Sequence, residues 1–202
     1  MAVDAEEWDA KYASTELLWS AGPNSYVELR TAGIPPGRAF DLACGEGRNA
    51  VWLAALGWQV TAVDFSAVAI GRTKARAAAA GEHVAARIDV VQSDALTWRA
   101  EEAAYDLAVV AYLHLPAESM TAVLAGVVAG LRPGGRLVAI GHDAENLTDG
   151  VGGPQEPDVL WTPELLASAA PAVRWDELGR RQREVSAGIA IDTIGYGQLG
   201  SA

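Results

Sequence analysis

Phe40-Asp41-Leu42-Ala43-Cys44-Gly45-Glu46-Gly47-Arg48-Asn49-Ala50 is the stretch around which the chain is organised. An apolar run enters it, an acid stands four residues ahead of the first of two glycines, and a helix-like pattern leaves it. Glycine has no Cβ, so the backbone can turn sharply there and a ligand can approach the main chain. A strand that turns through glycines into a helix N-terminus makes a nucleotide-type site.

Strands and helices alternate outward from this point. Arg38–Ala43 reads as the first strand and Arg48–Leu56 as a helix with Gly57 at its C′ position. Trp58–Val63 is the second strand. Ser66 can cap the alanine-rich helix that runs to Gly81. Val84–Val91 contains the third strand. Tyr105–Ala111 is an almost unbroken apolar fourth strand, of the kind buried on both faces. Pro116–Leu131 is a helix and Arg136–Gly141 the fifth strand. Asp143–Leu160 reads as a long loop. Thr162-Pro163-Glu164 is a cap with proline at the first helical position. Val173–Val185 and Ala187–Gly197 close the chain as a hairpin. Ahead of all this, Ala5, Trp8 and Tyr12 mark a short helix, and Asn24 or Ser25 caps a second.

Repeated β-then-α units predict a doubly wound, Rossmann-like α/β sheet, mostly parallel, with an antiparallel strand at the end contributed by the hairpin. We read one domain over 1–202: N-terminal cap helices over 1–37, a binding core over 38–141, and a loop, helix and hairpin over 142–202.

Composition narrows the function. The 202 residues carry a net charge of -11, which repels a polyanion and argues against nucleic acid as partner. Cys44 is the one cysteine, so an internal disulfide is impossible. No stretch reads as a signal peptide or membrane span, and a cytoplasmic setting is the default expectation. One cysteine and three scattered histidines predict no zinc site.

In folds of this kind ligands bind at the carboxyl ends of the strands. Those ends carry Asp41 with Gly45 and Gly47, then Asp64, Asp94-Ala95, Tyr112-Leu113-His114 and His142. An acid nineteen residues after Gly45 can accept hydrogen bonds from both ribose hydroxyls. Gly45-Glu46-Gly47-Arg48-Asn49-Ala50 formally fits a dinucleotide fingerprint, so a nicotinamide oxidoreductase is one reading. Asp41 opposes it, because an acid there repels a pyrophosphate. Asp41, Asp64 and Asp94 together suit a cationic adenosyl ligand.

The run Asp41–Gly47 resembles motif I of class I S-adenosylmethionine-dependent methyltransferases. Asp64, Asp94, the fourth strand and Leu131-Arg132-Pro133-Gly134-Gly135 are similar to the later motifs of that family. The Trp19 region and Gly152-Gly153-Pro154 with Trp161 resemble the tellurite-resistance and thiopurine branch. The resemblance implies a seven-stranded sheet with an antiparallel last strand, S-adenosyl-L-methionine as cofactor, and a small-molecule acceptor. It places Ala43, Gly45 and Gly47 against the methionine part, with Asp41 near its ammonium. It places Asp64 on the ribose with Ser66 beside it, Phe65 packed on the adenine, and Asp94 with Ala95 at the adenine amino group. Ala111, Tyr112 and Leu113 border the methionine end, and Trp19 closes the pocket. A monomer or homodimer is expected.

Should the acceptor need to lose a proton, His142 and then His114 are the candidate bases, since histidine titrates nearest neutral pH. Cys44 reads as packing, and Arg180, Arg181 and Arg183 as a solvated strand face. The Asp143–Leu160 loop, with the first 25 residues, is expected to cover the acceptor. A module that binds S-adenosylmethionine without transferring its methyl group would share the cofactor residues, so that alternative stays open.

Overall fold

The computed structural model describes residues 5–14 and 20–200. Helices α1 (Ala5–Ala13) and α2 (Ser25–Thr31) precede β1 (Arg38–Leu42), α3 (Arg48–Ala55), β2 (Gln59–Asp64), α4 (Ala67–Ala79), a single turn α5 (Glu82–Ala85) and β3 (Ile88–Gln92). Then come β4 (Tyr105–Ala111), α6 (Ala117–Gly130), β5 (Leu131–His142), the short α7 (Asn146–Asp149), a 3-10 turn at Pro157–Val159, α8 (Pro163–Ala169), β6 (Val173–Val185) and β7 (Gly188–Leu199).

The seven strands lie in the order β3-β2-β1-β4-β5-β7-β6. Every pairing from β3 across to β5 is parallel. Strand β7 is antiparallel to both β5 and β6. The seven-stranded, mostly parallel sheet with an antiparallel last strand agrees with the expectation, and one detail does not. The antiparallel strand is last in sequence but sits inside the sheet, and β6 forms the edge. Burial explains the swap. β7 buries Ala190, Ile191, Asp192, Thr193 and Ile194, while β6 alternates with arginines and acids that blunt an exposed edge.

Side chains alternate between the two faces of the strands. Phe40, Leu42, Ala108, Val110 and Leu137 pack on one face, against Leu124 of α6 and Leu166 of α8. Ala39, Leu107, Val109, Val138 and Ile140 pack on the other, against Val27 of α2 and Leu53 of α3. Asp41, between Phe40 and Leu42, therefore points to the α2/α3 side.

The caps form where the sequence places them. Asn24 accepts from the backbone N–H groups of Tyr26 and Val27, Ser66 from Ala69, and Thr162 from Leu165. Strand bounds shift locally. β1 stops at Leu42 because Ala43 takes a left-handed conformation, φ 58°. β5 starts five residues earlier than Arg136: Tyr105 pairs with Leu131, and the ladder resumes only at Leu107 with Arg136. Gly134, φ 81°, turns the residues looped out between them. The Asp143–Leu160 segment is not an unanchored loop. It contains α7 and the 3-10 turn, and Asn146 ties it down by accepting from Ile191 N–H (2.7 Å) and donating to Gly152 C=O (2.7 Å). Among the described residues, no helix is long and apolar enough to cross a membrane.

Candidate functional site

The chain reverses its path across the sheet between β1 and β4, and that opens the crevice. The loop after β1 passes through Ala43 (φ 58°), Gly45 (φ 55°) and Gly47 (φ 75°). Left-handed backbone at a non-glycine such as Ala43 is strain of the kind that gathers at binding sites. A Cβ on Gly47 would stand 2.6 Å from Thr73 Cγ2, so α4 packs directly on this loop. Thr73 Oγ1 donates to Gly45 C=O at 2.9 Å. Cys44 is buried, its sulfur lies 3.9 Å from Thr73 Oγ1, and burial pushes its thiol pKa well up. Packing, the expected role, suits an unactivated thiol.

Asp64, at the end of β2, reaches back to this loop. One oxygen accepts from Gly45 N–H (2.9 Å) and the other from Ser66 N–H (3.0 Å). Burial raises its pKa, and these backbone donors oppose the rise. Each oxygen keeps a second lone pair for a ligand.

Asp41 is different. It is fully buried, and neither oxygen has a hydrogen-bond partner among the described residues. Burial carries its pKa up to about 7; the Arg48 charge, and the nearby Ala50 N–H and Asn49 amide, which fall short of hydrogen-bond geometry, oppose this, and Asp64 adds to it. A buried, unpaired carboxylate costs several kcal/mol unless a cation or donor meets it (about 1–3 kcal/mol for the unmet hydrogen bonds alone).

The other residues expected to line this side of the crevice are less committed. Asp94 is exposed and caps its own turn, accepting from Leu96 N–H at 2.8 Å. Ala95 packs on the core. Phe65 is half-buried, and its carbonyl accepts from Gln92 at 3.3 Å. Trp19 lies outside the described residues. Helix α1 meets this side of the crevice: Asp9 accepts from Ser66 Oγ and from Val68 N–H (3.2 Å). The N-terminal helix thus docks on the start of α4 beside Asp64.

Past β4 the chain turns through Ala111, Tyr112 and Leu113. Tyr112 is left-handed (φ 59°) and donates its N–H to Ile140 C=O at 2.7 Å. Trp161 Nε1 donates to Leu113 C=O at 2.9 Å. The candidate bases His114 and His142 are brought together, with stacked rings 5.5 Å apart. His114 Nδ1 sits 3.1 Å from Val159 C=O, its Nε2 is buried with no hydrogen-bond partner among the described residues, and burial pulls its pKa down to about 4. His142 is likewise lowered, by burial first, with Asp192 pulling the other way. Both imidazoles are neutral at pH 7.

Two residues of this cluster were not foreseen. Asp192 is fully buried in β7, and Arg183 is turned onto it from β6 (Nε to Oδ2, 2.8 Å). Arg183 therefore does not belong to a solvated face. Arg180 also pairs inward, with buried Asp143 at 3.0 Å, and Arg181 lies over the Tyr26 ring. Asp192 had a signal: it is the one charged residue in the apolar run Gly188–Gly197. Arg48 links the halves of the crevice. Burial lowers its pKa, while Tyr112 and Asp41 both raise it.

Residues 39–135 match the family model described as a methyltransferase domain. The match runs from β1 to the start of β5. Among solved structures, the N-methyltransferase NodS from Bradyrhizobium japonicum WM9, in complex with S-adenosyl-L-homocysteine, is 18% identical, with a TM-score of 0.75 over 96% of this chain and 97% of that one. TehB from Haemophilus influenzae is 19% identical, with a TM-score of 0.71 over 96% of this chain and 66% of that one. Among curated proteins, Hemagglutinin 1 from Eikenella corrodens is 32% identical over 112 residues, 55% of this chain and 36% of its own length. The chain spans about a third or less of the curated relatives it matches. These solved structures share the fold, the match over 39–135 supports the methyltransferase reading, and the acceptor is not identified by these likenesses.

Proposed function

We propose that this chain transfers a methyl group from S-adenosylmethionine to a small-molecule acceptor, chiefly by holding the two in line. One observation carries the donor half: the fully buried Asp41 near the end of β1, neither oxygen of which makes a hydrogen bond among the described residues. A dinucleotide pyrophosphate would add charge of the same sign. An adenosyl ligand bearing an ammonium and a sulfonium supplies the missing cation.

On this reading the backbone at Ala43, Gly45 and Gly47 lies against the methionine part, with Asp41 near its ammonium. Asp64, already oriented by Gly45 and Ser66, takes the ribose hydroxyls. Phe65 packs on the adenine, and Asp94 with Ala95 meets its amino group. Ala111, Tyr112 and Leu113 border the reacting end. When bound, the cofactor supplies an electrophilic methyl group on sulfur; the protein supplies position and a dry site, which is worth about 7–11 kcal/mol of barrier when reacting atoms are held close. His142 and His114 are the candidate bases. The likeness to TehB favours the tellurite-resistance and thiopurine branch. The strongly negative net charge favours a small acceptor over nucleic acid, and a cytoplasmic monomer or homodimer is the simplest setting.

Thermal shift and product analysis test this together. S-adenosylhomocysteine is expected to stabilise the protein and NAD(H) is not. S-adenosylhomocysteine is expected to form from S-adenosylmethionine with at least one of a panel of phenols, amines, thiols and soft anions. Stabilisation by NAD(H) alone would return the oxidoreductase reading, and cofactor binding without turnover would favour a binding module.

A further inference from the structure

The cluster on the acceptor side is more elaborate than a structural ion pair requires. Asp192 is the cross-strand partner of His142 in the β5–β7 ladder, so their side chains share a face. Arg183 alone would neutralise Asp192, through Nε on Oδ2 (2.8 Å) and Nη2 on Oδ1 (3.4 Å). Yet Tyr112 also donates its hydroxyl to Oδ2 (3.0 Å), from a left-handed backbone at the end of β4. His142 turns Nδ1 to within 3.4 Å of Oδ1. Side chains from three other strand ends converge on one buried carboxylate.

We propose that Asp192 positions His142 as the general base of the acceptor half-site, and that the acceptor is a small protic nucleophile: a hydroxyl, a phenol or an amine. This rests on the methyltransferase reading above.

The geometry decides the tautomer. His142 Nδ1 is buried 3.4 Å from Asp192 Oδ1, its polar neighbour, and makes no hydrogen bond among the described residues. A proton on Nδ1 is drawn to that carboxylate, which leaves the lone pair on Nε2 for the crevice. The charged and titratable groups facing this ring are Asp192 on β7, Arg183 on β6, Tyr112 at the end of β4 and His114 just beyond it. Tyr112 stays protonated, raised by burial and then by Asp192. His114 stays neutral. From the loop side Gly153 comes close: a Cβ there would stand 2.7 Å from the His142 ring, so the 150s segment shields it.

As the acceptor's lone pair forms its bond to the methyl carbon, the methyl–sulfur bond breaks and its electron pair stays on sulfur as a neutral thioether. The acceptor's proton passes to His142 Nε2. The imidazolium so formed is held through Nδ1–H by Asp192. A soft anion needs no base and would approach a site that already contains a carboxylate.

Nitrogen-15 NMR of the full chain saturated with S-adenosylhomocysteine reads the tautomer without an acceptor. His142 is expected in the Nδ1–H form at pH 7.5, and Asp192→Asn is expected to shift it towards Nε2–H and lower its pKa. An Nε2–H tautomer in the unaltered protein overturns the proposal, and this holds even should the Asn variant fail to fold. Initial rates with catechol, phenol, a primary amine, iodide and thiocyanate give the second readout. Turnover is expected with the protic acceptors, His142→Gln lowering kcat about 10²–10⁴-fold with KM little changed. In D192N the acid limb of the pH profile is expected to move to lower pH. Methylation of iodide or thiocyanate alone, unaltered by H142Q, overturns the proposal. Calorimetry with S-adenosylhomocysteine separates the two failures. No binding defeats the methyltransferase reading, while binding with the wrong tautomer defeats only this one.

Discussion

Replacing Asp41 by asparagine is expected to make the empty protein more stable and the cofactor site worse. The carboxyl is fully buried, and burial carries its pKa from 3.8 up to about 7. Between those values the folded state keeps a proton that the unfolded state has lost. Stability therefore falls as pH rises through that window, and the whole penalty is present above pH 7. At about 1.36 kcal/mol per pH unit it amounts to about 4 kcal/mol. An asparagine removes the charge but still leaves a buried amide short of partners, at about 1–3 kcal/mol. The net gain expected at pH 8 is thus about 1–3 kcal/mol, a rise in Tm of about 2–10 °C for a chain of this size. The gain should shrink to less than half by pH 5. Binding should move the other way: S-adenosylhomocysteine raises the Tm of the wild-type protein and does little for D41N. Differential scanning fluorimetry from pH 5 to 8, with and without that ligand, reads both. A D41N variant no more stable than wild type at pH 8, or one stabilised as strongly by the ligand, refutes the reasoning.

Three further outcomes follow from particular contacts. Asp64→Ala removes the acceptor for Gly45 and Ser66 N–H groups and is expected to abolish most of the stabilisation by S-adenosylhomocysteine; strong residual stabilisation would sink the ribose assignment. Gly47→Ala puts a Cβ at φ 75° and 2.6 Å from Thr73 Cγ2, so urea unfolding should show a loss of at least about 1–2 kcal/mol, part of it recovered in combination with Thr73→Ala. Trp161→Phe leaves the Leu113 carbonyl without its 2.9 Å donor and should cost about 1–3 kcal/mol in the same assay.

The sheet was legible because it is written in local signals. Apolar runs ending in glycine, an acid or a cap mark each parallel strand, and Asn24, Ser66 and Thr162 cap the helices they were read to cap. Strand order at the far edge was not legible in the same way. It depends on which strand of a hairpin tolerates burial on both faces, and that is a comparison between β6 and β7 rather than a property of either. The glycine loop was legible as a feature, since Asp41, Gly45, Gly47 and Asp64 lie within 24 consecutive residues, and the structure brings Asp64 onto the Gly45 N–H. The acceptor side was legible only as His114 and His142. Asp192 stands 50 residues after His142, and Arg183 nine before Asp192. Their meeting is a product of antiparallel register, for which no short-range pattern exists. Arg183 read as one of three arginines on a solvated strand face. What distinguishes it is a partner on the neighbouring strand.

The two buried carboxylates of the crevice show why its halves suit different ligands. Asp192 is already met by a guanidinium, a phenol and an imidazole. A cation placed beside it would compete with Arg183, and a neutral molecule would not. Asp41 makes no hydrogen bond among the described residues, and the Arg48 charge, the Ala50 N–H and the Asn49 amide offset only part of the cost of its burial. A cation placed there removes a penalty that the folded chain otherwise carries. Arg48 stands between them, drawn by Tyr112 and Asp41 and repelled by Arg183. On this reading the crevice sorts its ligands by charge before any shape is considered: the cationic donor goes to the side with the unpaired acid, and the uncharged acceptor to the side where the acid is already paired.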